Sequence, residues 1–297
     1  MSSLASSPNV PSSQADPALR RSLPRGRRYG NTLFGVACTL AFIVVVVPLV
    51  DILWTVLSRG AQALNWTVFS QVTNGISGGL LNAIEGTLVL SGGALLFAAP
   101  IGVLAGVYLA EYGAGTWGRL VRFLADVLTG VPSIVLGYFS YVTLVEEMGW
   151  QFSALAGAIT LAMLIVPYIA RFTELAMRQN PSSLREAAYA LGCKEQQVVF
   201  KVLLPAARSG VITGVLLALA ISVGETAPLI YTAGWSNYLW NGQLTHEPIG
   251  YLTYVIWSFI NQPFASAHAL AYAAAFIVIG VVLLINIAAR LLLRQRL

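Results

Sequence analysis

Six apolar runs, at roughly residues 33–57, 80–110, 122–145, 152–171, 209–233 and 269–289, limit what this chain can become more than any other feature. Each matches or exceeds the ~20 residues that an α-helix needs to cross a ~30 Å hydrocarbon layer. Inside that layer no water can pair with a free N–H or C=O, so the runs must be helices. Only 10% of the residues are charged and 57% are hydrophobic, which leaves no room for a large water-soluble domain. The expectation is an all-α membrane protein with six transmembrane helices. The second run is long enough to tilt strongly or to contain a break near Pro100.

The basic residues orient these spans. Arg20, Arg21, Arg25, Arg27 and Arg28 precede the first, and Arg119 and Arg122 follow the second. Arg171, Arg178, Arg185, Lys194, Lys201 and Arg208 lie between the fourth and fifth, and Arg290, Arg294 and Arg296 close the chain. Only Arg59 falls in the alternate loops, so the positive-inside rule puts both termini in the cytoplasm. The net charge of +5 then reflects orientation and contact with anionic lipid. Basic residues scattered among loops make no nucleic-acid face.

Residues 1–30, rich in Ser, Pro and Arg, are expected to form a disordered basic cytoplasmic tail. The first span and an outer loop occupy 31–79, a helical permease domain 80–290, and a short cytoplasmic tail 291–297. The first apolar run is too long for a signal peptide and reads as a retained span. Cys38 and Cys193 match no metal spacing and read as small apolar fillers.

The loop at 180–205 carries the most local information. Asn180-Pro181 breaks the preceding span, and Ser183 with Glu186 has the S-x-x-E spacing of a capping box. Ala187, Ala188, Ala190 and Leu191 continue a short helix, and Gly192 suits the left-handed position that ends it. A second helix over 194–204 would show Val198, Val199, Val202 and Leu203 on one side, with Pro205 marking the start of the fifth span. Two readings stand. Small alanines, with Arg185 and Glu186 pairing at the rim, suit a plug for a groove on another protein. An amphipathic loop resting on the bilayer has the same pattern.

Resemblance separates them. Glu186-Ala187-Ala188, Gly192 and Val202-Leu203-Leu204-Pro205 resemble, with Val202 where Ile is usual, the EAA loop of binding-protein-dependent type I ABC importers. The resemblance implies that Ser183, Arg185, Glu186, Ala187, Ala188 and Gly192 belong to a coupling element that docks on a separate ATPase. No G-x-x-x-x-G-K-[ST] nucleotide loop occurs here, so ATP and magnesium would be bound by that partner. The chain would itself be non-catalytic.

Three further stretches resemble the PstA-type family of phosphate ABC transporter permeases over roughly residues 80–290. They are Asn82-Ala83-Ile84-Glu85-Gly86-Thr87 with the segment through Tyr112, Gly130-Val131-Pro132-Ser133 through Gly137, and Gly224-Glu225-Thr226-Ala227-Pro228-Leu229. That family implies a PstC-type second permease, a PstB-type ATPase dimer and a PstS-type phosphate-binding protein as partners. It also implies an inner-membrane location. One departure stands out: many members carry an arginine shortly before the Gly-Glu-Thr-Ala-Pro stretch, where this chain has Ile221 and Ser222. Specificity would then rest mainly on the binding protein.

Candidate path residues follow from the residues themselves. Pro228 removes a helical hydrogen bond and lets the fifth span bend, and Ser222, Glu225 and Thr226 would share one helix face. A carboxylate at that depth should face a protein interface or a watery path, so Glu225 reads as a gate or as the partner of an arginine, with a purely architectural pair as the alternative. Gly130, Pro132 and Gly137 mark a weak point beside Ser133, where freed amides could meet an anion or small residues could simply pack closely. Arg171 suits an oxyanion through its paired donors, or else anchors the span or pairs with Glu174. Arg122 and Asp126, four apart, would neutralise each other.

Other classes fit less of the chain. A secondary transporter or channel explains the spans and buried acids but not the coupling loop. His246 and His268 lie in no H-E-x-x-H spacing and no G-x-S-x-G elbow occurs, which argues against an intramembrane enzyme. An ABC permease for sulfate or molybdate would keep the architecture and change the cargo.

Overall fold

The protein is described from a computed structural model covering residues 25–294. Residues 1–24 and 295–297, which hold most of the tail assigned to 1–30 and the end of the tail assigned to 291–297, lie outside the described residues. Helix already begins at Arg25, and the last helix continues through Arg294.

Helix α1 runs Arg25–Ala63, unbroken at Pro48. The chain divides within it into one unit ending at Trp54 and another spanning Thr55–Leu297. In the first unit, apolar residues are spread over all sides of the helix, the pattern of a segment bathed in hydrocarbon.

The second unit holds the rest. After the short α2 (Trp66–Ser70) comes a hairpin of β1 (Thr73–Asn74) and β2 (Ser77–Gly78), antiparallel with Thr73 opposite Gly78. Its long helices are α3 (Leu81–Glu111), α6 (Ala154–Arg178), α9 (Leu204–Gly224) and α12 (Ala265–Arg294). Helix α3 passes through Pro100 without a break, so of the two readings of this long run the break is not the one taken. The remaining helices are α4 (Thr116–Gly130), α5 (Ser133–Ser140), α7 (Ser182–Ala190), α8 (Glu195–Gln197), α10 (Ala227–Thr232) and α11 (Leu252–Phe259).

The core is the seam between α3, α6 and α9, filled by Leu90, Ala94, Leu161, Ile165, Ile169 and Ala218. Small residues set its spacing. A Cβ on Gly102 would lie 2.7 Å from Ile169 Cβ, and one on Gly106 would lie 2.5 Å from Thr173 Cβ, so glycine permits the contact of α3 with α6. In lipid, where apolar side chains gain little by meeting each other, such close backbone approach is a main source of cohesion.

Among the described residues, five helices are long and apolar enough to cross a membrane, or six if one bent pair counts as a span. The bent pair is the expected third span: Thr116–Gly130 and Ser133–Glu147 meet at 99°. Val131 is extended (φ −72°, ψ 129°) because Pro132 crowds a helical residue before it and supplies no amide of its own. Beyond α5 the chain widens into a π-helical turn, Tyr141–Glu147.

At the hairpin end, the Asn82–Thr87 stretch is a row of clamps. The Asn82 amide donates to the Ser236 carbonyl (2.8 Å), Glu85 accepts from the Trp240 amide (3.1 Å) and Thr87 Oγ1 accepts from the Leu252 amide (2.9 Å). These bonds hold the long segment between α10 and α11 against α3. That segment crosses Gly86 so closely that a Cβ there would lie 1.8 Å from the Gly250 carbonyl oxygen.

Candidate coupling and translocation site

The loop between α6 and α9 forms a helix, a tight stop and a return. Pro181, at φ −61° and ψ 142°, precedes α7, so Ser183 is already inside the helix and makes no capping bond. The Ser183–Glu186 box expected from spacing is absent for that reason. The stop is as expected. Gly192 takes φ +77°, its amide donates to the Tyr189 carbonyl (2.9 Å), and the Cys193 amide reaches the Ala188 carbonyl (3.2 Å). This is the paired closure of a Schellman motif, which needs a left-handed residue and so favours glycine.

The return leg differs from a separate helix. After α8, residues Val198–Leu203 form a π-helical turn that runs directly into α9, so Pro205 lies inside continuous helix rather than at a boundary. The wider register lets a later amide serve the carbonyl that Pro205 cannot. Val198, Val199 and Leu203 are buried with Val107, Met177 and Ala188. The apolar side of this segment therefore faces the protein, which removes the bilayer-resting alternative. The Asn180 amide donates to the Leu203 carbonyl (3.0 Å), tying the end of α6 to the turn.

Ala188 is buried, while Ser183, Glu186, Ala187 and Gly192 are exposed on α7 and its stop. Tyr189 and Leu191 are exposed apolar side chains there, Leu191 at 85%. Sequence reading missed these two as contact residues. Their signal was available, since a large apolar residue beside a helix-ending glycine in a polar loop has no other place to be buried.

Arg185 does not pair with Glu186 at the rim. It grips Glu111, the last residue of α3, through two bonds of 2.7 and 2.9 Å. Nearby, the Tyr112 phenol is pushed above its ordinary range, first by desolvation and then by the Glu195 carboxylate, and so stays a neutral donor. The expected Arg122–Asp126 pair is also replaced. Arg122 bonds Glu174 (2.7 Å) and donates to the carbonyls of Gly113 (2.8 Å) and Leu109 (2.7 Å), capping α3 while holding α6. Asp126 instead takes Arg171 at 2.5 Å, and Arg171 also reaches Glu174 at 3.4 Å. Arg178 completes the set at 2.9 Å from the same buried Glu174. Arg171 is thus fully engaged, and to meet an anion it would have to exchange partners. Sequence spacing favoured the local pair, but the end of α3 and α6 offered Arg122 more acceptors.

The fifth span breaks completely. Helix α9 ends at Gly224, Glu225 is extended (φ −73°, ψ 139°), and α10 restarts with Pro228 in its first turn. Ser222, Glu225 and Thr226 therefore share no helix face. Ser222 and Glu225 nevertheless line one small void, and Thr226 does not. The Ser133 hydroxyl, at the head of α5, lies within hydrogen-bonding reach of the Glu225 carboxylate. A Cβ on Gly137 would lie 2.5 Å from Pro228 Cα, and Tyr138 meets Tyr231 edge-on at 6.1 Å, so α5 and α10 pack side by side. Glu225 sits where both half-helices begin. Their positive poles favour a carboxylate, but Glu225 is also the C-cap of α9, whose negative pole opposes them, so the helix ends alone do not account for an acid there.

Residues 102–296 match the family described as binding-protein-dependent transport system inner membrane components. The phosphate transport system permease protein PstA 2 of Mycobacterium bovis is 45% identical over 273 residues, covering 92% of this chain and 91% of its own length. The phosphate transport system permease protein PstA of Haemophilus influenzae is 41% identical over 264 residues, with 86% and 92% covered. Among solved structures, the inward-facing MetNI methionine ABC transporter superposes with a TM-score of 0.62 over 73% of this chain and 95% of that one, at 22% identity.

The fold is that of a type I ABC importer permease, a multi-pass subunit of the inner membrane. The chain belongs to the binding-protein-dependent transport inner membrane family and, within it, to the PstA-type permeases.

Proposed function

We propose that this chain forms half of the translocation path of a phosphate importer and is moved by a separate ATPase dimer of the PstB type. A PstC-type permease would supply the other half, and a PstS-type binding protein would deliver phosphate. ATP and magnesium would reside on the ATPase. Both termini would face the cytoplasm, as the basic loops require.

One observation carries the reading. An apolar knob at Tyr189 and Leu191, ended by Gly192, stands exposed on a loop that is bolted from behind to α3 through Arg185. Exposed apolar surface is costly unless another protein covers it. The bolt and the helix continuous from Glu195 to Gly224 then carry a push on the loop into the bundle. At the far end of that helix lies the break at Glu225, Thr226 and Pro228, opposite Ser133, where the path would open outward and reset after hydrolysis. A nucleotide-independent channel would have no use for such a lever.

The test is uptake by the reconstituted complex. Labelled phosphate should enter with ATP and be displaced by unlabelled phosphate, not by sulfate or molybdate. Displacement by sulfate or molybdate would change the cargo. Phosphate flux through the chain alone in liposomes, without nucleotide, would end the importer reading. Substituting Glu186, or replacing Gly192→Pro, should release the co-purifying ATPase.

A further inference from the structure

Where the fifth span breaks, the protein encloses a void of about 10 Å³, room for the centre of one water. Thr87 and Ser91 of α3, Ser222 of α9, Glu225 of the break and Tyr251 and Thr253 of the outer segment all line it. Two of these groups are anomalous. Ser222 Oγ and Tyr251 Oη are each shut away from solvent, on residues only 1% exposed, and neither has a hydrogen-bond partner.

Ser140 and Thr173 also carry buried, unpaired hydroxyls, but neither lines this void, where two such groups meet. Thr87, Thr160, Thr213 and Thr232 each turn their hydroxyl back to the carbonyl four residues earlier, at 2.7–2.9 Å. A helical serine can do the same, yet Ser222 Oγ makes no such bond and its residue lines the void. Thr87 Oγ1 already accepts from the Leu252 amide, and Thr253 donates to the Glu225 carbonyl (2.7 Å), so neither is seeking a partner. A buried hydroxyl without a partner keeps the whole penalty of its desolvation.

We propose that the void holds one resident water, which accepts from Ser222 Oγ–H and Tyr251 Oη–H and donates to the Glu225 carboxylate. The chemistry selects water over a cation. A sodium ion would use the two hydroxyl oxygens and leave both protons unplaced, whereas water has two lone pairs for two donors. A tetrahedral oxyanion is several times too large. The bridge joins the end of α9, the break and the outer segment, and so holds Glu225 in the arrangement seen here. The inference does not depend on which anion is transported.

Radiolytic hydroxyl labelling in ¹⁸O water tests it, on the full chain in its transporter complex. A radical born from a bound water attacks its nearest side chain, so Tyr251 should be labelled although almost fully buried. Tyr238, 78% exposed, serves as the internal standard. Replacing Ser222→Val fills the void and should lower labelling at Tyr251 about fivefold or more, with Tyr238 unchanged. Background labelling at Tyr251 in the unaltered protein would overturn the proposal. So would labelling that survives Ser222→Val. If that variant does not assemble, Ser222→Ala keeps the space and removes one anchor, and should reduce labelling at Tyr251; no change would count against the water. Labelling that rises when sodium is replaced by choline would assign a cation to the void and refute the water.

Discussion

Arg185 and Glu111 form a two-point ion pair across 74 residues of chain, with N···O distances of 2.7 and 2.9 Å. The Glu111 side chain is 4% exposed and that of Arg185 43%, so one end of the pair is sealed and the other touches solvent. Helix α7 is therefore fastened to the end of α3 rather than merely resting on it. The same end of α3 is capped by Arg122, which holds Glu174 of α6. Three helices of the bundle share one ionic joint.

Breaking that joint should uncouple the transporter. Arg185→Ala strands the Glu111 carboxylate, at a cost of about 1–3 kcal/mol after allowing for the wet guanidinium. Phosphate imported per ATP hydrolysed by the reconstituted complex should fall about tenfold. Arg185→Lys should recover only part of the loss, since an ammonium cannot make the forked contact. An unchanged ratio in Arg185→Ala would remove the joint from the mechanism.

Arg122 and Arg178 both touch Glu174, but their worth should differ. The Arg122 side chain is 20% exposed and Arg178 53%. Arg122→Ala should lower stability by about 3–5 kcal/mol, as removing one partner of a buried pair does. Arg178→Ala should cost about 1 kcal/mol or less. Denaturant unfolding in detergent distinguishes them, and equal losses would contradict the burial argument.

Two glycines of α3 should respond in opposite directions to alanine. At Gly86 the added Cβ meets the Gly250 carbonyl at 1.8 Å, so Gly86→Ala must push the outer segment away, costing about 1–3 kcal/mol. At Gly92 nothing lies within 4 Å, and Gly92→Ala should be neutral or stabilising by up to about 1 kcal/mol. Melting temperatures of the two variants decide it.

Gly192 separates conformation from space. No atom lies within 4 Å of its would-be Cβ, so Gly192→Ala pays only for the φ of +77°, about 1–2 kcal/mol. Some docking should survive. Gly192→Pro can adopt neither that angle nor the bond to Tyr189, and should abolish uptake while leaving membrane insertion intact. Wild-type uptake by the proline variant would show that the helix stop is dispensable.

The spans were legible because a bilayer leaves so few choices: an apolar run of the right length must be a helix. The helix stop at Gly192 was legible too, since its backbone angle is a local demand. The Ser183–Glu186 box failed by two residues, as the helix took Pro181 for its cap in place of Ser183. The shared face of Ser222, Glu225 and Thr226 failed because loss of one amide at Pro228 ended the helix rather than bending it.

From composition and spacing alone came a helical membrane bundle and its basic loops, properties of nearest neighbours along the chain and of the surrounding solvent, while only resemblance marked the coupling segment. Folding in three dimensions decided which charges meet. Arg122 and Arg185 each passed over a nearby acid for a buried one 52 and 74 residues away, while Arg171 kept Glu174 and added the exposed Asp126, 45 residues away. It also decided that two broken half-helices would place their first turns together around Glu225, a convergence that no linear spacing encodes.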